Sequence, residues 1–287
     1  MKPSCSLHVI YLKRDNNQFD SAGARGVAQP DEQGGRAVMG LRNLYKVFRE
    51  TRNAAREQAT LAVTGDSPRA AEVAALLGAQ RGVRGAEVIL AVRDDGATIS
   101  GKAVEDPGEI PLSSKGGESL LQELAPRIVL ALDEDYLVAL AKGYPPLRRA
   151  VCEEIVRNNA RQNAVIGALP IPGADMPVMT ANQARMVLNI AAAYGEELSM
   201  DRARELLGVL AAGFGLRALS RQAVKLVPVG GWAASAVIAY AGTLTMGRAS
   251  ILYFERGGQE VGEKEMANIR SRALKEGKAF VSRLRRK

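Results

Sequence analysis

The chain has 287 residues, 47% hydrophobic and 5% aromatic, with a formal net charge of +8. That length suffices for two modest domains with a core built from Ala, Leu and Val, and the charge favours an anionic neighbour. Two cysteines, Cys5 and Cys152, and one histidine, His8, cannot supply a disulfide framework, a His-based zinc site or a Ser/His/Asp triad.

Residues 1–38 lack periodicity and read as disordered, or as an extension preceding a natural start at Met39. The apolar run within them is too short for a secretory signal. From Met39 to residue 57, Leu41, Leu44, Tyr45 and Phe48 share one helical face, with Arg42, Lys46, Arg49, Arg52 and Arg56 on the other. Such a basic amphipathic helix can pack on the following domain or lie in a membrane interface.

Residues 58–136 read as a small α/β domain. Thr60–Thr64 is expected as a buried strand, Gly65-Asp66-Ser67-Pro68 as a turn and Arg69–Leu77 as a helix. Strand, glycine turn and helix open a P-loop domain. With Gly65 at the first glycine of that motif, however, Ala70, Ala71 and Glu72 stand where Gly, Lys and Ser/Thr belong. The phosphate cation and the Mg²⁺ ligand are then missing, and Glu72 would repel a phosphate. The loop is degenerate, no cofactor is implied, and a nucleotide switch with a non-standard loop is the alternative, resting on the helix N-terminus alone. Glu87–Val92 and Arg127–Leu132 read as two further strands of a three-stranded parallel core, with Asp94–Ala125 as loop plus a short helix.

Asp133 is expected to cap a helix that runs through Lys142 and ends at Gly143, followed by a hinge at Tyr144-Pro145-Pro146. Beyond it the pattern is helical: Leu147–Ala164, a proline-rich break, then Val178–Tyr194 stopped by Gly195. Asp175 is weighed as a helix cap against an intramembrane acid, and the cap is preferred. Ser199 is expected to cap the next helix. Arg217, Arg221 and Lys225 then form a basic stripe.

Leu226–Gly247 is the longest uncharged run, closed by Lys225 and Arg248. A spanning helix needs about 20 mostly apolar residues. The run has the length but is diluted by Pro228, Gly230, Gly231, Ser235, Gly242, Thr243 and Thr245. A span, a re-entrant hairpin and a buried Ala/Gly-rich core all fit. The balance falls to the membrane, with Leu226, Val227, Trp232, Val237, Ile238, Leu244 and Met246 as lipid contacts and Arg217, Arg221, Lys225 and Arg248 as the basic flank. Residues 255–287 read as a charged helical tail.

Five stretches in order carry a resemblance: Asn159–Asn163, Ile171–Pro177, Ile190–Gly195, Gly213–Leu219 and Val227–Trp232. Together they resemble the YcjF-like helical domain of unknown function. That domain occurs beside Era-like GTPase domains and in membrane proteins. The likeness covers about residues 147–254 and extends to members whose N-terminal GTPase domain is degenerate. It implies membrane association and GTPase-like ancestry, and transfers no catalytic residue.

The fold expected is therefore a two-part α+β chain: a small degenerate P-loop-like α/β domain, then a mostly α-helical domain with hydrophobic, membrane-type helices. The function expected is a membrane-associated, non-catalytic scaffold or interaction module at the cytoplasmic side of a bacterial membrane. A cytoplasmic protein is the alternative. Membrane lipid is the favoured partner. Nucleic acid is disfavoured because aromatics are not interleaved with the basic residues. Neither a protein partner nor an oligomeric state is indicated.

Overall fold

The computed structural model describes residues 49, 59–82, 85–114, 116–168, 175–196, 231–284 and 286, with side chains from 178 onward in the helix that starts at 175. The expectations for residues 1–38, the helix over 41–56, the Ser199 cap and the stripe Arg217/Arg221/Lys225 lie outside the described residues.

The first strand, β1 (Leu61–Thr64), is buried along most of its length, as a short apolar run bounded by turn residues should be. It leads through Gly65 and Asp66 to α1 (Pro68–Leu77). Ser67 caps this helix, its side chain accepting from Ala70 N, and Pro68 takes the first position, where its missing N–H costs nothing. Gly78 ends the helix in the left-handed conformation.

Four more strands follow, and only the one at Val88–Val92 matches a strand expected from the sequence. After β2 (Gln80–Arg81) and β3 (Val88–Val92), the chain turns at Asp94-Asp95 into β4 (Gly96–Ser100) and then β5 (Gly108–Pro111). Arg93 N donates to Gly96 O at 2.8 Å and closes the two-residue turn. The sheet order is β2-β1-β3-β4-β5, parallel from β2 to β3 and antiparallel from β3 to β5. The stretch expected as loop plus a short helix thus holds two strands, β4 and the edge strand β5, before the helix that begins at Gly117.

Arg127–Leu132 is not a strand. It lies mostly within α2 (Gly117–Leu130), with Leu132 in an isolated bridge to Val104. The buried residues Leu120, Leu124 and Ile128 recur every four positions, and Ala125 and Val129 follow the same period. Those residues form a helical stripe that continues into the apolar run. A run this short cannot itself distinguish strand from helix.

Within α2, Glu123 accepts from both the N–H and the hydroxyl of Ser113 and of Ser114, which precede the helix, at 2.6–3.1 Å. The Ser114 hydroxyl and N–H lead in pulling this exposed carboxyl from 4.5 down to about 2. A depressed carboxylate pKa means stability that is present above the ordinary value and is lost as pH falls through the folded one. The wild-type protein should therefore lose stability between about pH 4.5 and 2, and Glu123→Gln should lose less over that window. Urea midpoints measured across it check this.

Asp133 caps α3 (Glu134–Gly143) as expected, accepting from Asp135 N at 2.8 Å. The next residues do not form a free hinge. Tyr144 is buried, and Leu61 N donates to its hydroxyl at 2.6 Å, pinning the junction to β1. Immediately after it, α4 (Pro145–Ala168) begins on two prolines. Next come α5 (Asp175–Ala193), α6 (Gly231–Glu255) and α7 (Glu263–Leu284). Gly195, at φ 84°, follows α5 and its N–H returns to Ala192 O, the expected glycine stop. Among the described residues no strand follows α3.

The buried apolar side chains of the sheet, α1–α3 and the bundle form one continuous core, from Ala59 to Val281. Within the bundle α6 is central, packed on α4, α5 and α7. Residue pairs set the directions: Arg149 meets Glu255, Val156 meets Gly247 and Gly167 meets Ala239, so α4 and α6 are antiparallel. Gln183–Thr243 and Tyr194–Phe254 make α5 parallel to α6.

Candidate functional site

Three places could carry chemistry: the turn after β1, the interior of the bundle and its free end.

At the turn, strand and helix are joined by three residues only, so Ala70, Ala71 and Glu72 sit inside α1 rather than in a loop that could wrap a phosphate. Gly65 has φ 128°, and a Cβ there would stand 2.3 Å from Val92 O. The glycine is thus required by close backbone approach. Its carbonyl accepts from Arg81 Nη2 at 2.6 Å. Asp66 is exposed, Ala70 is buried and Ala71 faces solvent. Glu72 Oε1 accepts Gly117 N–H at 2.7 Å, and Arg69 donates to the Ser114 carbonyl. The charged groups of α1 therefore tie it to the start of α2. Strand–turn–helix geometry is present; the loop of backbone donors is not.

Inside the bundle, the run expected to meet lipid carries a polar seam. Asn163 on α4 and Thr243 on α6 are both fully buried. Asn163 Nδ2 donates to Thr243 Oγ1 at 2.9 Å, and Asn182 Nδ2 on α5 donates to Asn163 Oδ1 at 3.2 Å. Thr243 Oγ1 donates back to Ala239 O at 2.9 Å. Each polar atom of the Asn163–Thr243 pair has a partner, which a dry interior demands. One turn away, Arg248 is only 17% exposed and does not flank a membrane segment from outside the fold. Its guanidinium reaches Glu153 on α4 at 3.2 Å and both oxygens of Glu276 on α7 at 2.7 and 3.0 Å. Burial would pull its pKa down, but the bonds to Glu276 and the charge of Glu153 overcome this and hold it above the ordinary value.

The other residues expected at lipid divide. Leu244 is fully buried, Val237 and Met246 pack on the core, and Ile238 is half-buried. Leu226 and Val227 lie outside the described residues. Trp232 is 51% exposed. No helix among the described residues is long and apolar enough to cross a membrane. The transmembrane expectation for Leu226–Gly247 is corrected to that extent: over residues 231–247 the run is the central helix of a protein bundle. Composition misled because an Ala/Gly-rich helix suits lipid and close protein packing alike.

Trp232 points to the third place. The end of the bundle where α4 finishes, α5 and α6 begin and α7 finishes exposes Val165 at 47%, Val178 at 49%, Trp232 at 51% and Leu284 at 47%. Four of the five exposed large hydrophobics among the described residues lie there; only Leu130 is elsewhere. Scattered exposed apolar residues are ordinary, but their concentration at one end of a fold is not.

The opposite end is closed by charge and rings. Arg149 pairs with Glu255 at 2.6 Å, Tyr194 donates to Glu255 at 3.2 Å, and Tyr194 stacks on Phe254 and under Arg148. Cys152 is buried, and loss of solvent pushes its thiol up to about 12, so it is no nucleophile near neutral pH. No group of His, Cys, Asp and Glu among the described residues could hold a metal ion.

Taken by fold, the region from α3 onward is an α-helical bundle domain with a polar seam and one apolar end. Its residues 139–279 match the family described as "Domain of unknown function (DUF697)". The match starts within α3 and ends within α7. The chain is similar to Magnetosome membrane protein 22 of Magnetospirillum gryphiswaldense, with 25% identity over 149 residues, which is 48% of this chain and 76% of that protein. No solved structure matches it.

Proposed function

We propose that this chain is a membrane-associated, non-catalytic protein whose helical bundle attaches to the surface of a bacterial membrane by its apolar end. The observation that carries the reading is the gathering of Val165, Val178, Trp232 and Leu284 at that end. An indole at such a place suits the headgroup region, where its apolar ring and N–H are both accommodated. The relative's name, a membrane protein, supports the same assignment. On this reading the protein sits at the cytoplasmic face of the cytoplasmic membrane. The α/β region, a pseudo-GTPase in the family resemblance, then acts as a scaffold or interaction module rather than a catalyst.

Cell fractionation tests this. Expressed in a bacterial host, the protein should sediment with membranes, and Trp232→Ser combined with Val178→Ser should move it into the soluble fraction. Burying one such side chain is worth about tenfold in partitioning. A wild-type protein found wholly in the soluble fraction would overturn the proposal.

A further inference from the structure

We infer that the outward face of α7 recognises anionic phospholipid headgroups and orients the protein on the membrane, so that binding selects charged over neutral bilayers. The inference rests on the membrane reading and specifies its partner.

Alternate faces of α7 differ sharply. Met266, Ala273, Gly277 and Val281 are buried against the bundle. Arg272, Lys275, Lys278 and Arg283 are exposed. Helical spacing sets the two groups on opposite sides, because 266, 273, 277 and 281 recur at intervals of seven, four and four and the basic residues fall on the other face. None of these four basic residues forms an ion pair with a described residue, whereas Arg248, Arg149 and Arg256 do. Arg286, also exposed, follows the helix. The unpaired charge increases toward the end of α7 that carries Leu284, which is the apolar end. The α6–α7 packing fixes this direction, since Arg256 pairs with Glu265, and Gly277 and Phe280 meet Tyr240.

Charge over the whole chain is segregated in the same sense. Residues 59–144 hold 13 Asp and Glu against 8 Lys and Arg, while residues 145–287 hold 12 against 21. An anionic surface therefore attracts the bundle and repels the α/β region. The sheet side of the fold adjoins α4 through that helix's first turns and middle, where α3, which follows the sheet region, offers Ala141 O to Arg148 and Glu134 to Asn158, and α1 and α2 also pack on α4. Val165 lies further along α4, toward the free end. A bundle tilted on its apolar end brings the C-terminal half of the basic α7 face to the headgroups and keeps the acidic α/β region toward the solvent. A nucleic acid would also meet the basic face, but it offers nothing to the exposed apolar side chains at the same end.

Trp232 is the single tryptophan of the chain, so its emission reports directly on that end. The full chain is titrated with vesicles of phosphatidylcholine alone and with phosphatidylglycerol added. The expected result is tight, salt-sensitive binding to the charged vesicles only, with a blue shift of Trp232 emission. Arg272→Gln/Lys275→Gln/Lys278→Gln should weaken that binding on the order of a hundredfold, at roughly fivefold per charge near an anionic surface. All three side chains are exposed, so the variant should keep the wild-type circular dichroism and melting temperature. Equal binding to both vesicles, or an affinity unchanged by the three substitutions, overturns this inference and leaves membrane attachment standing. Duplex DNA that displaces the charged vesicles without itself shifting Trp232 emission would also overturn it. Failure of the protein to sediment with cell membranes, by contrast, removes the membrane reading itself.

Discussion

Replacing Asn163 with alanine is expected to destabilise the protein by about 2–4 kcal/mol, the sum of a small cavity and of buried polar groups left without partners. Asn163 joins Thr243 and Asn182 inside the bundle, where Asn163 and Thr243 are fully buried. The loss should appear as a lower midpoint in urea unfolding with an unchanged slope. The companion variant is the sharper test. Asn163→Leu together with Thr243→Val replaces both members of the fully buried pair by apolar groups and should recover part of the loss, leaving only the half-buried amides of Asn182 and Gln183 to find new partners. Equal destabilisation by the single and the double variant would show that the seam contributes nothing as a pair. The polar seam sets which turn of α6 faces which turn of α4 in a helix otherwise rich in interchangeable Ala and Gly. The double variant should therefore unfold less cooperatively even where its stability returns.

Gly247→Ala is the second large effect. An alanine Cβ at this position would lie 2.3 and 2.6 Å from the methyls of Val156, whose side chain is fully buried. Valine is stiff at χ1 and its methyls have nowhere to swing. Over-packing of this kind costs about 1–3 kcal/mol. The better helix propensity of alanine returns about 1 kcal/mol at most. Val156→Ala opens the space that Gly247→Ala needs, so the double variant should be less destabilised than the two losses added together. A coupling of at least about 1 kcal/mol in a double-mutant cycle is expected for residues in direct contact. Strict additivity would mean that α4 and α6 do not cross at Gly247. Gly167, where a Cβ would stand 2.9 Å from Ala239 Cβ, marks a second close approach of the same pair.

These two sites explain what was legible in the sequence and what was not. Local punctuation could be read directly. Asp133 caps its helix and Gly195 stops another, because each acts on backbone groups within a few residues, whereas the cap at Ser67 and the helix start at Pro145 lay hidden in stretches read as a turn and a hinge. The strands at Leu61–Thr64 and Val88–Val92 were legible as apolar runs. The hairpin partner β4 carried a signal that composition obscured: an apolar strand, then Asp94-Asp95-Gly96, then alternating Ala97 and Ile99. The second half of α2 was read as a strand because its helical period begins at Leu120, before the apolar run that looked like one.

The long uncharged run posed a different problem. Its length and its basic ends are properties of the chain, but whether lipid or protein surrounds it depends on distant residues. Glu153 and Glu276 neutralise Arg248, and Asn163 satisfies Thr243, across 95, 28 and 80 residues of sequence. Thr245 and Ser250 return their hydroxyls to carbonyls one turn back, as they would in either solvent. Nothing local could therefore decide between the two. Of the site, Trp232 was named from the sequence as a lipid contact, and the structure shows it half exposed. Its gathering with Val165, Val178 and Leu284 requires the order and direction of four helices. The basic face of α7 was legible only as a charged tail.

The central claim is attachment of a folded bundle to a membrane surface without α6 crossing it. Sequential extraction of the membrane pellet tests this most directly, first with high salt, then with alkaline carbonate, then with detergent. Release by salt or carbonate is the expected result, since the attachment rests on exposed charges and a few apolar side chains. Release by detergent alone would contradict it, because a protein that resists carbonate is inserted, and α6 would then have to leave Asn163, Glu153 and Glu276 behind.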